Sequence, residues 1–103
     1  MNAGRIFAAL ASLPRRQMVA VLAQSAASTS VLAERFRMSA PAISRHLSVL
    51  EHAGLVTRER QGQQVLYRLQ RDVLLEALSR FAHELDGPLR RDPRPPHNPR
   101  NAL

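Results

Sequence analysis

The fold of this chain is decided by the stretch Ser39-Ala-Pro-Ala-Ile-Ser-Arg-His-Leu-Ser-Val-Leu-Glu-His-Ala-Gly54. Ser39 is a favoured N-cap residue, and Pro41 lies in the first helical turn, where its missing N–H group costs nothing. Gly54 is a typical residue for ending a helix. The pattern therefore predicts a helix that runs to about Ala53.

The predicted helix has two different faces. At 100° per residue the apolar side chains share one direction and are expected to be core: Ile43, Leu47 and Leu50. A second set points roughly opposite and forms a candidate reading face: Pro41, Ser44, Arg45, Ser48 and His52. The alternative interpretation is an ordinary amphipathic helix whose polar face is merely solvated.

A cationic hairpin is predicted directly after this helix. Residues 55–60 and 64–69 alternate apolar residues with Arg or Gln, and Gly62 supplies the turn between two strands. On a pleated strand Arg58 and Arg60 share one side, and Glu59 takes the other. Such a ribbon can lie along phosphates or enter a minor groove, although an edge hairpin protected by charge would look similar.

The remainder of the chain predicts four further helices. Apolar spacing indicates helices over residues 5–12, from Pro14 to about Gln24, over 31–36 and over 71–86, with a small polar linker at 25–30. The predicted fold class is mainly α with a small β-hairpin, in the order α-α-α-α-β-β-α. This is the order of a winged helix-turn-helix, in which a helix enters a DNA groove beside a wing. One domain over residues 1–86 is expected.

The last predicted helix carries more apolar surface than a terminal helix of a small domain needs. We expect it to form a homodimer interface together with the first helix. The residues predicted for this interface are Ile6, Phe7, Leu10, Leu74, Leu78, Phe81 and Leu85. Residues 87–103 contain five Pro among Arg, Asn and Asp, so this tail is predicted to be disordered.

The charge balance favours a nucleic-acid partner. The formal net charge is +7, and all 15 basic residues are Arg, whose planar fork suits phosphates and guanine edges. The tail accounts for four Arg and one acid, which leaves about +4 for the rest. Between Arg37 and Arg68 five Arg face only Glu51 and Glu59, so the helix and hairpin are net positive.

Composition also excludes cysteine chemistry and indicates in which cellular compartment the protein is expected to work. It has no cysteine, which excludes disulfides, thiolate metal sites and cysteine-based redox sensing. No apolar run approaches the roughly 20 residues of a membrane span, and residues 5–13 lack the pattern of a signal peptide. We therefore expect a cytoplasmic, nucleoid-associated protein with no membrane partner.

The candidate DNA-binding residues come from the helix start, its reading face and the hairpin. They are Ser39, Ala40, Pro41, Ala42, Ser44, Arg45, His46, Arg58, Arg60, Gln61, Gln63 and Gln64, with Arg68 on the second strand. The small residues let the helix N-terminus approach a groove, and Arg45 can bind guanine through two hydrogen bonds. His46 lies roughly 60° from the core direction and can either pack or donate to a phosphate.

On these residues the chain resembles the ArsR family of bacterial winged-helix repressors. The resemblance covers about residues 5–86. Its specific segments are Pro14-Arg15-Arg16, Val31-Leu32-Ala33, Ser39 through Leu50, Ala53-Gly54-Leu55-Val56 and the hairpin from Arg58 to Tyr67. The resemblance implies a homodimer that binds an operator overlapping a promoter and blocks transcription. Two recognition helices about 34 Å apart would require an inverted repeat.

The sequence departs from the family in its metal ligands. Metal-sensing members commonly carry a Cys pair in helix three, and residues 31–37 have no thiol. Asp72, His83 and Asp86 keep the spacing of three ligands of a second family site, but Gln70 stands where another ligand is expected. No metal and no cofactor are therefore predicted, and the chain looks closer to the metal-independent branch. The sequence does not reveal whether a protein or small-molecule inducer exists.

Two other functions share the same predicted fold. A winged helix can serve as a protein-interaction module, and a non-specific DNA-binding protein would carry the same positive charge. An enzyme is not expected, because no Gly-rich phosphate loop and no catalytic constellation is recognisable, so no catalytic residue is assigned.

Overall fold

The computed structural model describes residues 2–86 and consists of five helices and a small sheet. The helices are α1 (Ala3–Leu10), α2 (Leu13–Gln24), α3 (Thr29–Phe36), α4 (Ala40–His52) and α5 (Arg71–Leu85). The strands are β1 (Ala27–Ser28), β2 (Val56–Gln61) and β3 (Gln64–Leu69). The predicted fold class is confirmed, with one added strand. The predicted tail lies outside the described residues.

Side-chain caps determine where the first four helices begin. Four N-cap side chains each accept a hydrogen bond from the backbone N–H three residues later: those of Asn2, Ser12, Ser28 and Ser39. Each cap satisfies one of the N–H groups that a helix start leaves without a partner. The cap at Ser28 explains why α3 begins at Thr29, two residues before the predicted start.

The strand β1 was not predicted. Ala27 pairs with Tyr67 and Ser28 with Leu66, so the sheet order is β1-β3-β2. Interpreting residues 25–30 as a linker was therefore wrong at Ala27 and Ser28, both of which are buried. A strand of two residues is too short to show alternation, so no periodic signal could have revealed it.

Glycines make the two turns that separate α4 from the hairpin and β2 from β3. Gly54 has φ 79° and Gly62 has φ 61°, a left-handed conformation that glycine adopts without steric cost. At the end of α4, Gly54 N–H donates to the Glu51 carbonyl and Leu55 N–H to the Leu50 carbonyl, each at 2.9 Å. These two bonds are a Schellman motif, and they direct the chain from the helix straight into β2.

The core lies where α1, α2, α3 and α4 meet the base of the sheet. Ile43, Leu47 and Leu50 have no exposed surface, as predicted for the apolar face of α4. The other large, fully buried side chains are Ile6, Met18, Leu32, Leu55 and Val56. By contrast, the buried residue of α5 is Ala77, so most of that helix lies outside the core.

Among the described residues, no single helix has both the length and the apolar composition needed to cross a membrane. The helices α1 and α2 pass such a test only when joined, and they are bent by 102° at their junction.

Candidate nucleic-acid interface

The reading face of α4 is open to solvent along its whole length. Pro41, Ser44, Arg45, Ser48 and His52 are all exposed, on the side opposite the buried Ile43 and Leu47. Within the part of the chain that the structure describes, Arg45 makes no side-chain hydrogen bond or ion pair. Its guanidinium group is therefore available to an external acceptor.

The start of α4 also follows the prediction, with one difference in exposure. The Ser39 hydroxyl accepts a hydrogen bond from the Ala42 N–H at 3.2 Å, which leaves the hydroxyl proton free to donate elsewhere. Ala40 is exposed, whereas Ala42 is only half exposed. The first turn thus presents small side chains and the N-terminal end of the helix dipole, both favourable for close approach of a phosphate.

His46 packs against α2 rather than standing free in solvent. Its Nδ1 atom lies 3.4 Å from the Nη1 atom of Arg15, and the residue is half-buried. Burial, followed by the positive charges of Arg15 and Arg45, lowers the pKa of His46 below its ordinary value. Because Arg15 can only donate, Nδ1 is the acceptor and the ring proton is assigned to Nε2. A neutral His46 can therefore still donate one hydrogen bond outward.

Arg15 was missed as a structural contributor to this site. Its Nε donates to the Ala9 carbonyl at 2.7 Å and its Nη2 to the Ala8 carbonyl at 3.4 Å. Next to it, Arg16 donates to the Leu10 carbonyl at 2.6 Å. These arginines satisfy carbonyls at the end of α1, and Arg15 also connects α1 to the recognition helix through His46. The Pro14-Arg15-Arg16 motif marked the residues, but no helical pattern predicts the contact.

The hairpin, here called the wing (β2, β3 and their turn), holds its three arginines differently. Arg58 pairs with Glu51 of α4 at 3.0 Å, and Arg68 pairs with Glu59 at 3.1 Å. Arg60 has no such partner among the described residues. Among the described residues, Arg60 is therefore the wing arginine whose guanidinium group is available to a ligand. Arg58 instead connects the wing to the recognition helix through its salt bridge with Glu51.

The register of the wing explains these pairings. Arg58 lies opposite Tyr67 and Arg60 opposite Val65, whereas Glu59 lies opposite Leu66. Side chains alternate along a strand, so Arg58 and Arg60 share one face, as predicted. The pair between Arg58 and Glu51 shows that this face turns toward α4. On the other face, Gln61 Nε2 and Arg68 Nε donate to the two carboxylate oxygens of Glu59. These two bonds lower the pKa of Glu59.

A polar cleft separates α4 from the wing. It is lined by Ser44, Ser48, Glu51, His52, Arg58 and Tyr67. Glu51 and Tyr67 were not among the predicted site residues, because an acid and a strand tyrosine carry no local signal for such a role. The other predicted wing residues, Gln61, Gln63 and Gln64, are exposed near the turn.

The surface predicted for dimerisation combines α1 and α5. The rings of Phe7 and Phe81 lie 5.5 Å apart at 59°, so the two helices pack together within one protomer. Beside them an apolar strip stays exposed: Leu75, Leu78, Phe81 and Leu85, at 53, 43, 49 and 58% exposure. Ile6 has no exposed surface and belongs to the core instead, which corrects its assignment to the interface. Leu10 and Leu74 are half-buried against that core.

The three candidate metal ligands do not lie together in one protomer, because Asp72 is at the opposite end of α5 from His83 and Asp86. Asp72 is in the first turn of α5 and His83 in its last turn, eleven residues or about 16 Å along the helix axis. Among the described residues, no group of three or more His, Cys, Asp or Glu side chains is placed to hold a metal ion. Asp72, His83 and Asp86 therefore do not converge within a single chain.

A cationic helix face beside a braced hairpin defines this protein as a winged helix-turn-helix. Residues 14–58 match the family described as "Bacterial regulatory protein, arsR family". The chain is 32% identical to an ArsR-like transcriptional regulator from Rhodococcus sp. RHA1, with a TM-score of 0.73 and 82% of each chain covered. The chain belongs to the ArsR family.

Two further relatives extend the comparison. The chain is 40% identical over 67 residues to the HTH-type transcriptional repressor SmtB of Mycobacterium tuberculosis, a match over 65% of this chain and 50% of the relative. It thus spans about half the length of that relative. A homodimeric winged helix-turn-helix DNA-binding domain from Mycobacterium bovis, a possible ArsR-family regulator, is 27% identical. Its TM-score is 0.67, with 81% of this chain and 78% of that chain covered.

Proposed function

We propose that this protein is a transcriptional repressor that binds an inverted-repeat DNA operator as a homodimer. The observation that carries the proposal is the exposed Arg45 in the middle of the reading face, with Arg60 on the adjoining wing. Within residues 2–86 neither side chain has a hydrogen-bond or ion-pair partner. An unpaired guanidinium group on a groove-sized helix suits a guanine edge, and one on a ribbon suits a phosphate. The relatives described as repressor and as homodimeric DNA-binding domain support the same function.

Each predicted contact residue has a role in this proposal. The first turn of α4, Ser39 to Ala42, approaches the backbone, and Ser44 with Arg45 reads bases. His46 donates to a phosphate through Nε2. The wing follows the backbone through Arg60, with Arg58 and the three glutamines beside it. The protein works in the cytoplasm on genomic DNA, performs no catalysis and belongs to the metal-independent branch of its family.

The test is a binding titration of the parent, Arg45→Ala and Arg60→Ala against labelled DNA from upstream of its own gene and against scrambled DNA. We expect Arg45→Ala to cost about 1–3 kcal/mol on the native sequence and little on the scrambled one, because it removes base contacts. Arg60→Ala should weaken binding to both sequences and reduce the salt dependence by about one phosphate contact.

Three outcomes would contradict parts of this proposal. Equal affinity of the parent for native and scrambled DNA, with a steep salt dependence, would indicate a non-specific DNA-binding protein. Negligible affinity for both at low salt would favour a protein-interaction module. If both variants bound as the parent does, the reading face and wing would have been assigned wrongly.

A further inference from the structure

A second cleft lies beside the reading face of the recognition helix, on the flank of α4 that meets α1 and α2. It is formed where α1, α2 and α4 meet, opens to solvent and has a volume of about 310 Å³. Its lining includes Arg5, Ala8, Arg15, Val49, His52 and Ala53. The small alanine side chains leave the space open, and Val49, 40% exposed, supplies an apolar wall. This volume is at the lower end of the range of about 300–1,000 Å³ found for small-molecule sites.

The charge around this cleft is positive, because the described residues that line it include Arg5 and Arg15 and no carboxylate. The Arg5 guanidinium group makes no side-chain hydrogen bond or ion pair within residues 2–86. Arg15 binds two neutral backbone carbonyls and the His46 ring, whose lowered pKa favours the neutral form. The nearest acid in sequence on α4 is Glu51, and it faces Arg58 of the wing.

Arg15 is also held in a way that leaves it able to bind an anion. A guanidinium group has five N–H bonds, and three of those of Arg15 are engaged, at Nε, Nη1 and Nη2. One N–H therefore remains on each terminal nitrogen. A half-buried cation with neutral partners gains most from a carboxylate, since charge-assisted hydrogen bonds are about twice as strong as neutral ones.

We propose that this cleft binds a small organic monocarboxylate with a flat apolar body. The carboxylate binds Arg15 and Arg5, and the apolar body covers Ala8, Val49 and Ala53. A bound anion also adds negative charge beside the reading face of α4, so it weakens the attraction of the recognition helix for DNA. This last consequence rests on the proposed function, whereas the binding itself does not.

The binding test uses 2-naphthoate and the full chain, with calorimetric titration and no DNA. We expect saturable binding to the parent, at least tenfold weaker binding of the uncharged 2-naphthamide, and at least tenfold weaker binding of 2-naphthoate to Arg5→Gln. Ala8→Leu, which fills the space with a good helix former, should also lose binding. The matched control is Arg35→Gln, an identical charge change on α3, which contributes no residue to the cleft.

The proposal is overturned if 2-naphthoate does not bind the parent at millimolar concentration, or if the amide binds equally well. It is also overturned if both Arg5→Gln and Ala8→Leu bind like the parent while their circular dichroism shows a native fold. Saturating 2-naphthoate should weaken DNA binding of the parent at least threefold and leave that of Arg5→Gln unchanged. If 2-naphthoate binds the parent but does not weaken its DNA binding, only the coupling between the cleft and DNA binding is refuted. If the parent binds 2-naphthoate but no DNA, only the proposed function is refuted.

Discussion

At the scale of single residues, Arg37 adopts a sterically unfavourable backbone conformation that the sequence does not reveal. It ends α3 with φ 54°, a left-handed conformation that is unfavourable for residues with a Cβ atom. Met38 N–H donates to the Ala33 carbonyl and Arg37 N–H to the Glu34 carbonyl, so Arg37 takes the position that glycine usually holds. The turn between α3 and α4 is therefore built with an arginine in a glycine position.

Replacing this arginine should stabilise the fold. Arg37→Gly removes the steric cost but adds freedom to the unfolded chain, so we expect a net gain of about 0.5–1 kcal/mol in the free energy of unfolding. Urea denaturation at equal protomer concentration measures it, because a dimer's stability depends on concentration. The control Arg37→Ala keeps the cost while removing the charge. If Arg37→Ala stabilised the protein as much as Arg37→Gly, side-chain charge rather than backbone conformation would be the cause.

We expect His46 to make the stability of the fold sensitive to mild acid. Its pKa is lowered in the folded protein, first by burial and then by Arg15 and Arg45. The unfolded chain therefore binds a proton at this residue more readily, between the ordinary pKa near 6.5 and the lowered folded value. The contribution of His46 to stability is complete above that window and declines as the pH falls through it.

The measurement compares unfolding of the parent and of His46→Gln at pH 7.5 and pH 5.5. We expect the parent to lose more stability on acidification than the variant, because glutamine cannot take up the proton. His52→Gln removes an exposed histidine from the same helix, so it is the matched histidine control and should follow the parent. Parallel losses in the parent and His46→Gln would show that the contact with Arg15 does not govern the titration.

At the scale of elements, the sequence predicted helices and hairpin because each carries a local signal. For α4 these signals are the cap at Ser39, the end at Gly54 and the apolar spacing of its core residues, and each depends on only a few neighbouring residues. The structure confirms the Ser39 cap and the burial of Ile43, Leu47 and Leu50. The strand β1 was not predicted, because it forms only through its pairing with β3, more than 35 residues away in the sequence. Local patterns cannot contain a contact of that kind.

The candidate site divides in the same way. The exposed positions of Arg45 and Arg60 follow from helical and strand periodicity, so they could be predicted. The pairing of Arg58 with Glu51 and of Arg15 with His46 depends on how α4 lies against the wing and against α2. For the same reason Ile6 was assigned to the surface, since a short apolar helix does not reveal which neighbour covers it.

Within the wing, the carboxylate of Glu59 reduces the net positive charge. Glu59 accepts hydrogen bonds from Gln61 and Arg68, so it holds one wing arginine and contributes a negative charge near the proposed backbone contact. We expect Glu59→Gln to bind DNA about two- to tenfold more tightly at low salt, with a salt slope steeper by about one phosphate contact. Anisotropy titrations at two salt concentrations measure both quantities.

The matched control for this prediction is Glu84→Gln, which makes the same charge change near the end of α5. It raises the net charge equally but lies outside the wing. If Glu59→Gln and Glu84→Gln changed affinity and salt slope by the same amount, the gain would come from net charge and not from a released Arg68.

At the scale of the whole molecule, the exposed apolar strip on α5 is the surface through which two protomers, each with one recognition helix, are expected to associate. Leu75, Leu78, Phe81 and Leu85 lie next to the contact between Phe7 and Phe81, which ties α5 to α1. A second copy placed on this strip would bury it and set two recognition helices at a fixed spacing, as an inverted repeat requires. Each half-site then binds at the high effective concentration that linkage provides.

Leu85→Glu tests this arrangement without entering the core, because Leu85 is the most exposed residue of the strip at 58%. We expect the dimer dissociation constant to rise at least tenfold in sedimentation equilibrium, since the interface would bury an unpaired carboxylate. Affinity for a full operator should fall with it, while affinity for a single half-site should hardly change. Ser79→Glu places the same charge on the polar side of α5 and should remain dimeric. A Leu85→Glu protein that stayed as dimeric as Ser79→Glu would move the interface to another surface.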